Sequence, residues 1–195
     1  MKISKKDFYF IIKASLFYGM ISVIFSFSSV LLADKTTLVN PLHGTFDIKE
    51  IPGHFLWGFA AASVTWRLKY ALLGGVFAVF VDFDHVISIL QIQGISHMSH
   101  SIAFAGISLV IMMITFGRKD YILGAVALSS VLTHISYDLF WSSNKFPLFA
   151  PVYDTPVYFV SEYSMLFEIA AIIIIGATAL IVRKKNSDAK SVKVK

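Results

Sequence analysis

From Phe8 to Ala33 the chain runs almost without interruption through apolar residues, with Lys13 as its one charge. That length exceeds the ~7–15 residues of a signal-peptide core, and Ala33 has no clear small-x-small cleavage pattern before it. The segment is therefore expected to remain as an uncleaved membrane span, with Lys13 snorkelling toward the cytoplasmic side. Composition extends the same conclusion to the whole chain. Of its 195 residues 56% are hydrophobic and 15% charged, whereas soluble domains carry about 25% charged residues. The absence of cysteine removes disulfides, thiol nucleophiles and thiolate metal sites, so any metal must sit on His, Asp and Glu.

The remaining chain divides into apolar runs and polar breaks. Residues 34–53 carry Asn40-Pro41, His43-Gly44 and Pro52-Gly53 and read as a loop, in which His43 is an ordinary exposed histidine. A helix is expected to begin near His54. The stretches from His54 to Trp66 and from Tyr70 to Val81 are each too short to cross a ~30 Å hydrocarbon core, and they are joined at Arg67 and Lys69. Two longer apolar runs follow, Ser101 to Phe116 and Tyr121 to Trp141, separated by Arg118-Lys119-Asp120. A loop from Ser142 to Ser161 contains three prolines and several tyrosines that resemble an interfacial belt, and the last span is Ser164 to Val182.

The expected fold is all-α: a polytopic bundle of about six membrane helices, two of them short. Its parts are an anchor helix (1–33), an extracytoplasmic loop (34–53), a membrane-embedded helical domain (54–182) and a basic cytoplasmic tail (183–195). The net charge of +5 gathers at the two ends, from Lys2 to Lys6 and from Arg183 onward, which fits cytoplasmic flanks rather than nucleic-acid binding. With six alternating helices, the cations at 67–69, 118–119 and 183–185 all fall on the cytoplasmic side of a plasma membrane, together with both termini.

Ionisable residues inside apolar helices are costly and mark function by default. Measured from the cytoplasmic cations, His54, Asp82, His100, His134 and Asp138 lie thirteen to eighteen positions away. At ~1.5 Å per residue this puts them at a common depth of roughly 20–27 Å, toward the extracytoplasmic face. Glu168 shares that depth and could support the cluster. His134 and Asp138 are four apart, and Asp82 and His85 three apart, so each pair projects from one helical face. Nitrogen and oxygen donors without sulfur suit Zn²⁺ or another first-row dication, and enough carboxylates are present to hold one or two ions. The same set could also relay protons in a transporter or hold a structural metal in a membrane scaffold.

At these residues the chain resembles the YdjM-type family of membrane-bound metal-dependent hydrolases, LexA-regulated inner-membrane proteins of some bacteria. The likeness rests on Gly53-His54, on Asp82-Phe83-Asp84-His85, on Ser99-His100-Ser101, and on Thr133-His134 to Asp138 followed by Pro147-Leu148-Phe149-Ala150-Pro151. Val81 stands where the family has proline, and Ile95-Ser96-His97 where it has His-Arg-Gly. The order of an early His, an Asp and a His-x-x-x-Asp helix is also similar to the zinc-dependent phospholipase C superfamily.

The resemblance implies metal ligation by His54, Asp82, Asp84, His85, His100, His134 and Asp138. Asp84 is then the expected proton acceptor, and Ser99, Ser101 and His97 are supporting residues. The phospholipase C likeness favours phosphoester hydrolysis, and a site at the membrane boundary points to a lipid or lipid-linked substrate, with membrane lipids as partners and no role for nucleic acid. Neither His-Glu-x-x-His nor Gly-x-Ser-x-Gly occurs, so zincin and serine-hydrolase chemistry lack their motifs.

Overall fold

The computed structural model describes residues 3–28, 48–86, 97–141, 145–153 and 155–192. Among these residues are six α-helices: α1 (Lys5–Phe27), α2 (Ile51–Ala62), α3 (Leu68–Val81), α4 (Ile102–Phe116), α5 (Tyr121–Trp141) and α6 (Ser164–Val192). A two-residue antiparallel pair, β1 (Lys145–Phe146) with β2 (Val157–Tyr158), lies between α5 and α6. The fold is thus the expected all-α membrane bundle. The helices α1, α5 and α6 are long and apolar enough to cross a membrane, and α4 is a shorter apolar helix. With 12 and 14 residues, α2 and α3 are the two short members.

Local chemistry sets the boundaries. The Ser4 hydroxyl caps α1 by accepting the Asp7 N–H at 3.1 Å. The helix α2 starts at Ile51, three residues before His54, because Pro52 sits in its first turn, where a missing N–H costs no helical hydrogen bond. Between α2 and α3 the chain tightens into a 3-10 turn (Ser63–Thr65), and Trp66 adopts a left-handed φ of 57° before the helix resumes at Leu68. Gly117, with φ 151°, ends α4 in a backbone conformation that side chains oppose.

The helix α5 is the hub: 89% of its apolar window is buried, against 17% for α6, whose outer face is left for lipid. Its polar residues are tolerated in the core because they are satisfied locally or by neighbours. Ser130 donates to the Val126 carbonyl at 2.8 Å, Thr133 to that of Ser130 at 3.1 Å, and Ser136 to that of Ser164 on α6 at 2.8 Å. The α2–α3 hairpin closes where Gly58 and Gly74 meet. A Cβ on either would strike the backbone of the other, so both positions demand glycine for the crossing to form.

On the other side of α3, α1 packs inward. Tyr18 stacks on Phe77 at 4.3 Å, and its hydroxyl donates to the Ala127 carbonyl at 3.1 Å. The basic C-terminal segment continues α6 without a break as far as Val192. Of the expected loops 34–53 and 142–161, residues 34–47, with His43 among them, and 142–144 lie outside the described residues.

Candidate metal centre

Five elements converge at one end of the bundle: the end of α1, the start of α2, the 3-10 turn Asp82–Asp84 after α3, the 3-10 turn Met98–His100 before α4, and the C-terminal half of α5. His54 is delivered by the Gly53-His54 pair at the start of α2. A Cβ on Gly53 would overlap the Tyr137 ring, so the missing side chain lets Tyr137 pack edge-on against His54 at 4.6 Å. His54 in turn stacks on His134 at 4.0 Å with the rings nearly parallel.

The two spacings picked out in the sequence both close. His134 Nε2 lies 3.2 Å from Asp138 Oδ2, and His85 Nε2 lies 3.2 Å from Asp82 Oδ1. Asp82 is the centre of the group, since its Oδ1 is also 3.3 Å from Nε2 of both His100 and His134. His54 Nε2 is 3.3 Å from Asp138 Oδ1 and 3.5 Å from Asp82 Oδ2.

Three sets could each hold an ion, with ligand atoms within 4.8 Å of one another: His54, His134 and Asp138; Asp82, His100 and His134; and Asp84, His85 and His97. The first two share His134 and form one pocket. The third flanks it through His85, which stacks on His97 at 4.1 Å. Asp84 thus belongs to the flanking group, where its Oδ2 lies 3.3 Å from His97 Nδ1 and accepts hydroxyl protons from Ser26 at 2.6 Å and Ser99 at 2.7 Å. Ser101 caps α4 by accepting the Phe104 N–H at 3.1 Å. Glu168 is buried on α6 outside all three sets, with one carboxylate oxygen unpartnered.

A family model described as YdjM inner membrane protein matches residues 50–192. The chain belongs to the YdjM inner membrane protein family. It is accordingly a membrane protein. No curated protein and no solved structure matches it, so the likeness to phospholipase C remains one of motif order. The part of the chain shared with the YdjM family contains all eight His and Asp residues of the three sets, whereas α1 precedes it.

Proton bookkeeping tests whether this YdjM-family site suits a cation. His134 Nδ1 is 2.7 Å from the Ala78 carbonyl, which only accepts, so Nδ1 carries a proton and Nε2 of the neutral ring is a lone pair. Ser99 spends its single hydroxyl proton on Asp84, so at 3.1 Å His100 Nδ1 must donate to Ser99 Oγ, and His100 Nε2 is a lone pair as well. These two Nε2 atoms face each other at 2.9 Å. Two lone pairs at that distance repel unless a cation or an additional proton lies among them and the aspartates.

Unmet polar atoms point the same way. His54 Nδ1 and Nε2, His97 Nδ1 and Asp84 Oδ1 are all buried without a hydrogen-bond partner. His54 and His97 stand near carboxylates at ion-pair distances, but their geometry does not make hydrogen bonds. Orphaned buried polar groups cost on the order of 1–3 kcal/mol each, more when charged. Three carboxylates in a setting only 0–13% exposed need positive charge, which dications on neutral imidazoles supply. The donor set therefore fits a bound divalent metal.

The sequence reading missed Ser26. Its one available signal is the register of Ser15, Tyr18, Ser22 and Ser26, which places four hydroxyls on the buried face of an otherwise apolar span.

Proposed function

We propose that this protein is a membrane-embedded metal-dependent hydrolase that cleaves a phosphoester in a lipid or lipid-linked substrate. The observation that carries the reading is the pair of opposed imidazole lone pairs, His100 Nε2 and His134 Nε2, 2.9 Å apart beside Asp82 and Asp138. His54, Asp82, His100, His134 and Asp138 would hold one ion, and Asp84, His85 and His97 a second. Zn²⁺ suits these ligands. A dication in such a site supplies Lewis acidity, making water nucleophilic near neutral pH and offsetting charge on a phosphoryl group.

The protein's own groups do the rest. Nδ1 of His134 is fixed by the Ala78 carbonyl and Nδ1 of His100 by Ser99, so both rings keep Nε2 turned inward without reorganisation. Asp84 has its Oδ2 taken by two serine hydroxyls, which leaves the partnerless Oδ1 as its ligand atom and, whenever it is not coordinated, as the acceptor of a proton from water. Access is from the side of Asp82, His85 and Asp138, the side chains of the group with 10–13% exposure, while His134 is fully enclosed.

The surroundings support a lipid substrate. The cluster lies at the end of a bundle whose helices are long and apolar enough to cross a membrane, and the loop that covers it exposes Phe149, Tyr153, Tyr158 and Tyr163. In that loop Phe146 lies parallel to His100 at 6.3 Å, and the Leu148 carbonyl accepts the first N–H of α4 from Ile102 at 2.9 Å. With both termini cytoplasmic, the site faces the extracytoplasmic side of the plasma membrane.

The test is hydrolysis of phospholipid vesicles and of a lipid-linked diphosphate by detergent-purified protein loaded with Zn²⁺ or Mn²⁺. Release of a phosphorylated headgroup or of phosphate, abolished by chelation and by Asp84→Asn, is expected. Tightly bound metal without hydrolysis would leave a structural role. Failure to bind metal would favour proton relay between His100 and His134.

A further inference from the structure

The first helix, outside the region shared with the YdjM family, reaches the site through Ser26. Ser26 Oγ donates to Asp84 Oδ2 at 2.6 Å and itself accepts the backbone N–H of Ser99 at 3.1 Å. Ser26 is fully buried. It therefore ties α1 to two separate turns at once: Asp82–Asp84, which carries two of the three site carboxylates, and Met98–His100, which carries His100. The chain of contacts continues inward, since Ser99 donates to the same Asp84 oxygen and receives His100 Nδ1–H, which turns His100 Nε2 toward Asp82 and His134.

Four residues up the same face, Ser22 donates to the Val81 carbonyl at 2.7 Å and touches no site residue in this way. Ser22 and Ser26 thus separate a packing contact from a contact with the site.

We infer that Ser26 is a positioning residue for the metal centre, holding Asp84 and the His100-bearing turn in ligating geometry, so that α1 is a working part of the site as well as a membrane span. The inference rests on the metal reading above. Outer partners that orient metal ligands are typically worth about 10–100-fold in metal affinity. With its hydroxyl gone, Asp84 Oδ2 loses one of two charge-assisted donors, the Ser99 N–H loses its acceptor, and both turns gain freedom.

The experiment is titration of metal-free, detergent-purified full chain with Zn²⁺, comparing wild type with Ser26→Ala, Ser26→Thr, Ser26→Val and Ser22→Ala, alongside thermal unfolding of each metal-free protein. Affinity is expected to fall about 10–100-fold in Ser26→Ala and in Ser26→Val, which has the shape of threonine without its hydroxyl, and to recover in Ser26→Thr. Ser22→Ala should lower the unfolding temperature and leave affinity at the wild-type value. Should Ser26→Ala not survive purification, the Thr and Val variants carry the same comparison. Wild-type affinity in Ser26→Ala or Ser26→Val, with wild type binding Zn²⁺, overturns this inference and leaves the metal reading standing. Equal losses in Ser22→Ala and Ser26→Ala also overturn it, by reducing α1 to packing. A wild-type chain that binds no Zn²⁺ overturns both.

Discussion

The bundle has two polar ends, and they are built differently. At the end where Arg67, Lys69 and Asp120 gather, Asp120, Lys69 and Arg183 all have ordinary partners. Asp120 accepts the Tyr70 hydroxyl at 2.8 and 2.9 Å and the Leu123 N–H at 3.0 Å, while Lys69 lies 4.0 Å away and over the faces of Phe10 and Tyr70. Arg183 donates to the Thr65 carbonyl at 2.7 Å, joining α6 to the α2–α3 corner. Lys69 and Asp120 remain 25% and 22% exposed, so water shares the load. At the His/Asp end the charges are deeper, the nitrogens point at one another, and four buried polar atoms of His54, His97 and Asp84 have no partner. One end is complete as protein and serves stability. The other leaves facing nitrogens and buried polar atoms unmet, as a metal site without its ion does, and that difference marks the candidate site without reference to any relative.

Substitutions at the two ends should separate these roles. The largest effect is expected from His134→Ala or Asp138→Ala, each of which should release the ion of the central pocket and abolish hydrolysis. Elemental analysis and headgroup release would check this, and full activity in either variant would break the contrast. Next comes Gly74→Ala in the hairpin that joins the ends. Its Cβ would meet Ala62 and the Gly58 carbonyl, prising α2 from α3 at a cost of about 1–3 kcal/mol and displacing His54. A fall in both unfolding temperature and Zn²⁺ affinity is expected, and an unchanged unfolding temperature would contradict the close crossing.

The complete end should respond in stability alone. Asp120→Ala removes the N-cap of α5 and the Tyr70 partner, and should lower stability by about 0.5–2 kcal/mol with Zn²⁺ affinity intact. Lys69→Ala should cost at most about 1 kcal/mol, because the pair is partly exposed and long. A loss of metal in either variant would mean that the two ends are coupled and the comparison fails.

The bundle was legible in the sequence because apolar run length and charge placement follow directly from bilayer thickness. The Asp82/His85 and His134/Asp138 pairs were legible because helical period alone puts such residues on one face, and the structure places both pairs at contact distance. Counting depth from the cations at 67–69 and 118–119 brought four separate segments to one level. Depth does not fix rotation about a helix axis, however, and so Glu168 shares the level while lying outside the three ligand sets.

His97 illustrates another limit. Its spacing from His100 was visible, but its partners Asp84 and His85 are set by how two distant 3-10 turns meet. Ser26 was least visible of all. A serine in a membrane helix most often bonds back to its own backbone, and only tertiary packing decides that this one faces Asp84.

The most direct test of the central claim is the metal content of the detergent-purified chain, measured by elemental mass spectrometry for wild type beside His134→Ala and Asp120→Ala. The account predicts one or two equivalents of zinc or another first-row dication in wild type and Asp120→Ala, and one equivalent fewer in His134→Ala, which lacks the shared ligand of the central pocket. A wild-type chain without metal after incubation with divalent ions, or a His134→Ala variant that keeps the full wild-type content, would contradict the account.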